Sequence, residues 1–180
     1  VGINVEGTFR ASENADWDKI YKHINIANMV INTIDNQTAK TSFDRNEIQR
    51  IKGEAYFLRA WSYFMLANLY GKPYVDEKQA AKDFCVPINR ATGIEEKSLS
   101  RSSIKEVYDL MEADIISSIA AFKVSTVEKT IFRPNLPTSY LLASRIALFR
   151  KDYDKVIAYA DSVQLSTEKA LFDMTATYAI

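Results

Sequence analysis

The sequence predicts an all-α protein, and three observations predict it. Apolar residues recur at three- and four-residue steps in five segments, the spacing of one helix face. Capping residues stand ahead of these segments, with Gly or Pro at several of the breaks between them. No stretch of any length alternates apolar and polar residues strictly, and no Asn-Gly or Asp-Gly hairpin dipeptide occurs, so a substantial sheet is not expected.

The first helix is expected over residues 16–35, where Asp16 precedes Trp17, Ile20, Tyr21, Ile24, Ala27, Ile31 and Ile34. The second opens at Asp44 and Glu47 in capping-box spacing and runs to Tyr70. Its Ile48, Ile51, Ala55, Leu58, Met65, Leu66 and Leu69 form one stripe. Tyr56, Phe57, Trp61, Tyr63 and Phe64 make the other side apolar, so it should be buried between neighbours. Gly71 suits the left-handed position after a helix, and Pro73 prevents resumption.

Residues 72–101 lose the periodicity and contain Pro73, Pro87 and Gly93. A connection this long suits a binding or docking loop, or an ordered loop that covers the helices. Ser103 and Glu106 make a capping box for a third helix, with Ile104, Val107, Tyr108, Met111, Ile115, Ile119 and Phe122 on its stripe. Pro134 and Pro137 break the chain before a fourth helix over residues 140–149, carrying Leu141, Leu142, Arg145, Ile146 and Leu148. Asp152 and Asp154 start a fifth that reaches about Gln164, with Val156, Ile157, Tyr159, Ala160 and Val163 inward. Residues 166–180 suit a short helix or an extended segment equally.

With 180 residues, 47% hydrophobic and 12% aromatic, the chain has the makeup of a packed domain and not of a linker. Its 23 basic and 23 acidic residues cancel, which removes the field that would draw nucleic acid or anionic lipid to it. Cys85 is alone, so no internal disulfide forms, and a buried free thiol is the simple reading. No run of about 18 apolar residues spans a membrane. Residues 1–10 lack the zones of a signal peptide and an initiator Met, and Thr175 to Ile180 stops among apolar residues without a cap. The expectation is a single helical region, 1–180, cut from a longer protein.

Ala143, Ala147, Ala158 and Ala160 place small residues on two helices joined by the Lys151 to Asp154 turn. That pattern resembles a tetratricopeptide repeat, which implies helix pairs stacked in a right-handed superhelical arrangement, here with long loops. A sharper resemblance lies in Gly53-Glu54-Ala55-Tyr56-Phe57-Leu58-Arg59-Ala60, then Tyr63-Phe64, Leu66 and Tyr70-Gly71 before Pro73. These residues resemble the signature helix of the SusD/RagB family. Upstream, Trp17, Ile20, Tyr21, Ile24, Ala27 and Asn28 resemble the family's preceding helix. Downstream, Arg101, Val107-Tyr108, Ala113-Asp114, Leu141 to Arg145, Tyr153 and Ala158 follow its order. The resemblance implies a lipid-anchored parent on the extracellular face of an outer membrane. It would bind an oligosaccharide or other nutrient without catalysis and pass it to a SusC-like TonB-dependent transporter. The family's lipidated Cys lies near the precursor's start, so Cys85 is not that anchor.

Sugar binding needs flat apolar faces for the C–H side of a pyranose and amides or charges for its hydroxyls. Asn4, Phe9, Arg10 and Asn14 before the first helix, and Tyr74, Phe84, Asn89 and Arg90 in the long connection, carry that chemistry. The loop aromatics would serve equally to anchor the loop. The resemblance places most of the ligand platform before Trp17 and beyond this chain's end, so these residues would form a rim. His23 sits at the edge of the first apolar stripe, with no metal-ligand or nucleophile pattern around it. Glu54, among apolar residues, could serve as a tuned acid opposite a second carboxylate, but Arg50 four residues away suits an ion pair. No cofactor motif is present. Two readings compete with glycan capture. One is a tetratricopeptide adaptor that grips a peptide, for which short turns would be expected. The other is a glycan-active enzyme, which needs two carboxylates about 5–9 Å apart in a cleft.

Overall fold

A computed structural model describes residues 15–92, 99–127 and 132–167. These residues fold into six helices: α1 (Ala15–Asp35), α2 (Ser42–Tyr70), α3 (Glu77–Ala80), α4 (Ile104–Val124), α5 (Leu136–Arg150) and α6 (Tyr153–Ser166). Among the described residues the extended pairing is a single antiparallel bridge between Phe84 and Ser103. The all-α expectation holds, and the five long helices are those the apolar spacing predicts.

Side-chain contacts show that successive long helices run in opposite directions. Along α1 and α2, Asp35 pairs with Lys52, Asn28 with Arg59, and Trp17 with Tyr70. Between α2 and α4, Asn46 meets Thr126 just past the end of α4, and Arg59 meets Asp114. Ser118 of α4 reaches Ser139 near the start of α5, while Glu112 reaches Arg150 at its end. The long α2 is thus flanked by α1 and α4, as its two apolar sides require. Ile24, Ala60, Tyr63, Leu66, Val107, Met111, Ile115, Leu142 and Ile146 share one core. Each large member contributes about 1.5–3 kcal/mol relative to exposure.

Several local details differ from the sequence reading. The capping box of α2 lies one turn earlier than expected, on Thr41 and Asp44, which exchange hydrogen bonds with each other's backbone N–H. Glu47 instead pairs with Arg50 at 2.7 Å. The Ser103–Glu106 box of α4 forms as expected. Pro137 does not break the chain before α5 but occupies its first turn, where a missing N–H costs nothing and φ is already helical. The long connection contains one helical turn, α3, capped by Asp76. Trp61 is not core but surface, 36% exposed and stacked on Phe64. On α6, Val156, Tyr159 and Val163 are half-buried, whereas Ile157 and Ala160, expected inward, face out. That helix packs on one side only, and none of its residues is fully buried.

Two glycines allow close approach. Gly53 accepts a hydrogen bond from Ser118 at its carbonyl, and a Cβ there would lie 2.9 Å from the Phe122 ring. The Phe122 ring uses the space that the missing side chain leaves. Gly71 is extended (φ −96°), not left-handed. Its need for glycine is steric: a Cβ would sit 2.6 Å from the Ala67 carbonyl oxygen and 2.8 Å from the buried Cys85 Sγ. Gly71→Ala is therefore expected to destabilise the protein by about 1–3 kcal/mol, the usual cost of overpacking. Chemical denaturation checks this, and Cys85→Ala should restore only part of the loss, because the backbone clash at Ala67 remains.

Candidate functional site

The connection from α2 to α4 is held at both ends and across its middle. Around α3, Asp83 accepts from the Ile104 N–H, Cys85 N–H donates to Ser102 at 2.7 Å, and Arg101 Nε donates to the Cys85 carbonyl. Residues 87–91 are strapped over α1 and α2. The Tyr21 hydroxyl donates to the Pro87 carbonyl at 2.7 Å, and the Tyr63 hydroxyl accepts from the Asn89 N–H at 2.8 Å. Asn28 Nδ2 donates to the carbonyls of Asn89 (2.9 Å) and Ala91 (3.1 Å). The Asn89 side chain donates to Asn25 and accepts from the Ala91 N–H.

Beneath the strap lies Arg59. Its Nε and Nη2 donate to the two carboxylate oxygens of Asp114 at 2.8 and 2.6 Å, while Nη1 donates to Asn28 Oδ1 at 2.9 Å. Asp114 and Asn28 are each 2% exposed. A hydrogen-bonded path therefore runs from α4 through α2 and α1 to the loop backbone. Burial pushes the Asp114 carboxyl above its ordinary range against the pull of Arg59. Burial also works against the Arg59 charge, yet the bonds to Asp114 hold its pKa above the usual value. Burial pushes the Tyr63 phenol up to about 12 and raises Tyr21 as well, so both keep their protons at neutral pH.

The structure distributes the predicted site residues unevenly. Asn4, Phe9, Arg10 and Asn14 lie outside the described residues. Tyr74 is not an open stacking face: its ring is buried against Tyr108 at 5.2 Å, with the Arg150 guanidinium 5.5 Å away. The hydrogen bonds of Asn89 are spent on the strap. Arg90 is exposed, as is Phe84 at 64%, and these two present side chains to solvent from the loop. Sequence reasoning did not assign the strap. A signal for it existed, since Arg59 and Asp114 are charges set within apolar helix faces, where burial demands a partner.

A groove of about 340 Å³ runs between α1 and α2, lined by Ile26, Val30, Ile51 and Leu58, with His23 and Glu54 as its polar members. Glu54 is ion-paired to Arg50 at 2.7 Å, as its spacing suggested, and also to Arg133 at 3.1 Å. Its charge is neutralised by two guanidiniums, one of which, Arg50, it shares with Glu47.

Stacked antiparallel helices with a long polar loop locked across them define a helical-repeat scaffold of the tetratricopeptide kind. Residues 4–148 match the sequence model of the SusD-like_3 family, described as starch-binding and associating with the outer membrane, and the chain belongs to that family. It is 27% identical over 165 residues to SusD-like protein P2 of Formosa agariphila, covering 89% of this chain and 28% of that protein. The crystal structure of a SusD superfamily protein from Bacteroides thetaiotaomicron superposes with a TM-score of 0.74 at 28% identity, covering 87% of this chain and 33% of the other. That of a SusD-like carbohydrate binding protein from Bacteroides vulgatus gives 0.71 at 26%, covering 89% and 33%. The chain thus spans about a third or less of the length of these relatives.

Removing Asp114 leaves a buried guanidinium unpaired, so Asp114→Ala is expected to cost about 3–5 kcal/mol. Tyr63→Phe, which removes one strap hydroxyl, should cost about 1 kcal/mol. Hydrogen exchange checks the coupling: both substitutions should speed exchange of the Asn89 N–H, while amides of α5 in Tyr63→Phe stay protected.

Proposed function

We propose that this chain is part of a non-catalytic binding protein that captures oligosaccharides or related nutrients on the extracellular face of the outer membrane and delivers them to a TonB-dependent transporter. The observation that carries this reading is the family match over residues 4–148. A relative of similar fold is described as carbohydrate binding. The architecture suits the task, because the helices hold residues 87–91 of the loop in place and so lower the entropy cost of binding there. Arg90 and Phe84 on that loop supply part of the rim of the capture surface, and Asn4, Phe9, Arg10 and Asn14, which lie outside the described residues, carry the same sugar-binding chemistry. The buried Cys85 thiol is not placed to carry a lipid anchor.

One observation favours the adaptor reading. The α1–α2 groove is lined mostly by apolar side chains, a surface that suits the apolar face of an amphipathic peptide. A glycan array followed by calorimetry on the intact protein separates the two. Capture predicts an oligosaccharide ligand that is bound and not turned over. Binding confined to peptides would favour the adaptor, and turnover would mark an enzyme. Arg90→Ala should weaken sugar binding several-fold without changing the melting temperature.

A further inference from the structure

A second concave site lies away from the strap, where the C-terminal end of α2 meets the C-terminal end of α5. It is a cleft of about 170 Å³ whose walls include Asn68, Gly71, Tyr74, Tyr108 and Phe149. The rings of Tyr74 and Tyr108 are buried, yet neither hydroxyl has a hydrogen-bond partner among the described residues. No buried side-chain polar atom among those residues lacks a partner, so both hydroxyls keep some contact with solvent, and both tyrosines line the cleft. Burial pushes the Tyr108 phenol up to about 12, which keeps it a donor at neutral pH. Asn68 spends one amide N–H on the Phe64 carbonyl of its own helix, which leaves its carbonyl oxygen and second N–H for a ligand.

Phe149 also lines the cleft, 41% exposed and held in a T-shaped contact with Phe64 at 5.1 Å. The cations around the cleft are already engaged: Lys72 by Asp83, Arg150 by Asp109 and Glu112, and Lys151 by the Val75 carbonyl. No charge is left over to select an anion. The volume lies below the roughly 300–1,000 Å³ of pockets that enclose drug-sized ligands, so the cleft takes one ring and not a chain.

From an aromatic face, two phenol hydroxyls, a free amide and paired charges, we infer that this cleft is a subsite for a single neutral sugar ring, separate from the loop rim. It rests on the capture reading and extends it to a second contact point on the scaffold. The pyranose lies with its C–H side on Phe149, and its hydroxyls exchange hydrogen bonds with Tyr74, Tyr108 and Asn68.

The test titrates the intact protein with methyl glycosides of glucose, galactose, mannose and xylose, followed by saturation-transfer NMR, and soaks crystals with the best binder. The expected result is millimolar binding of at least one glycoside with its ring against Phe149. The Tyr74→Phe, Tyr108→Phe double variant keeps both rings and should bind about tenfold more weakly. Asn68→Ala, a surface change that spares the fold, should weaken it several-fold. Unchanged affinity in these variants, or a ring found elsewhere, overturns the subsite. If the variants keep full binding on the glycan array, capture stands and the subsite falls. If the array is empty while glycosides still bind at Phe149, the subsite stands and oligosaccharide capture falls. Silence in both sinks both.

Discussion

A guanidinium in the middle of a helix with two buried flanks must be paired on both sides, and that requirement organises this molecule. Arg59 sits on α2 between α1 and α4, and it finds Asp114 on one side and Asn28 on the other. Asn28, with its oxygen taken by Arg59, has an amide nitrogen left to donate, and it donates to two loop carbonyls. The charge thus fixes the register of three helices and the position of a loop that has no regular structure of its own between residues 87 and 91. A buried ion pair adds little stability over apolar packing, because desolvation offsets most of the attraction. What it adds here is specificity of arrangement, since any slippage of α1 or α4 leaves a charge or an amide unpaired.

The fold was largely legible because its signals are local. Heptad-like spacing in α1, α2 and α4 depends on one face meeting a core, and the capping residue Ser103 satisfies an N–H only three residues away. The family signature from Gly53 to Gly71 added the order of the helices. Misreadings arose where a residue's neighbour is distant in sequence. The αL expectation for Gly71 missed Cys85 Sγ, fourteen positions on, which makes glycine necessary for steric reasons. Trp61 was counted on a buried apolar side of α2 by its helical spacing, but α2 turns that position outward beside Phe64. Outward-facing Ile157 and Ala160 on α6 reflect a helix with one packed side, which periodicity alone does not distinguish from a helix with two.

The ligand-facing surface was less legible for the same reason. Tyr74 and Asn89 have the side chains of sugar-binding residues, yet tertiary contacts bury the ring of one and tie up the amide of the other. Amino-acid type tells what a side chain can do, and long-range packing decides whether it is free to do it. Tyr108 shows the converse. It was read as a core residue of α4, and it is buried, but it also lines a cleft at the edge of the core.

The account stands on the claim that Asp114 and the loop strap communicate through Arg59. A double-mutant cycle between Asp114→Asn and Asn28→Ala, measured by denaturant unfolding, tests it most directly, because the structure gives these two residues no hydrogen bond to each other and a shared one to Arg59. The predicted result is a coupling above about 0.5 kcal/mol. Additive effects, agreeing within about 0.3 kcal/mol, would contradict the claim and leave the strap a set of independent hydrogen bonds.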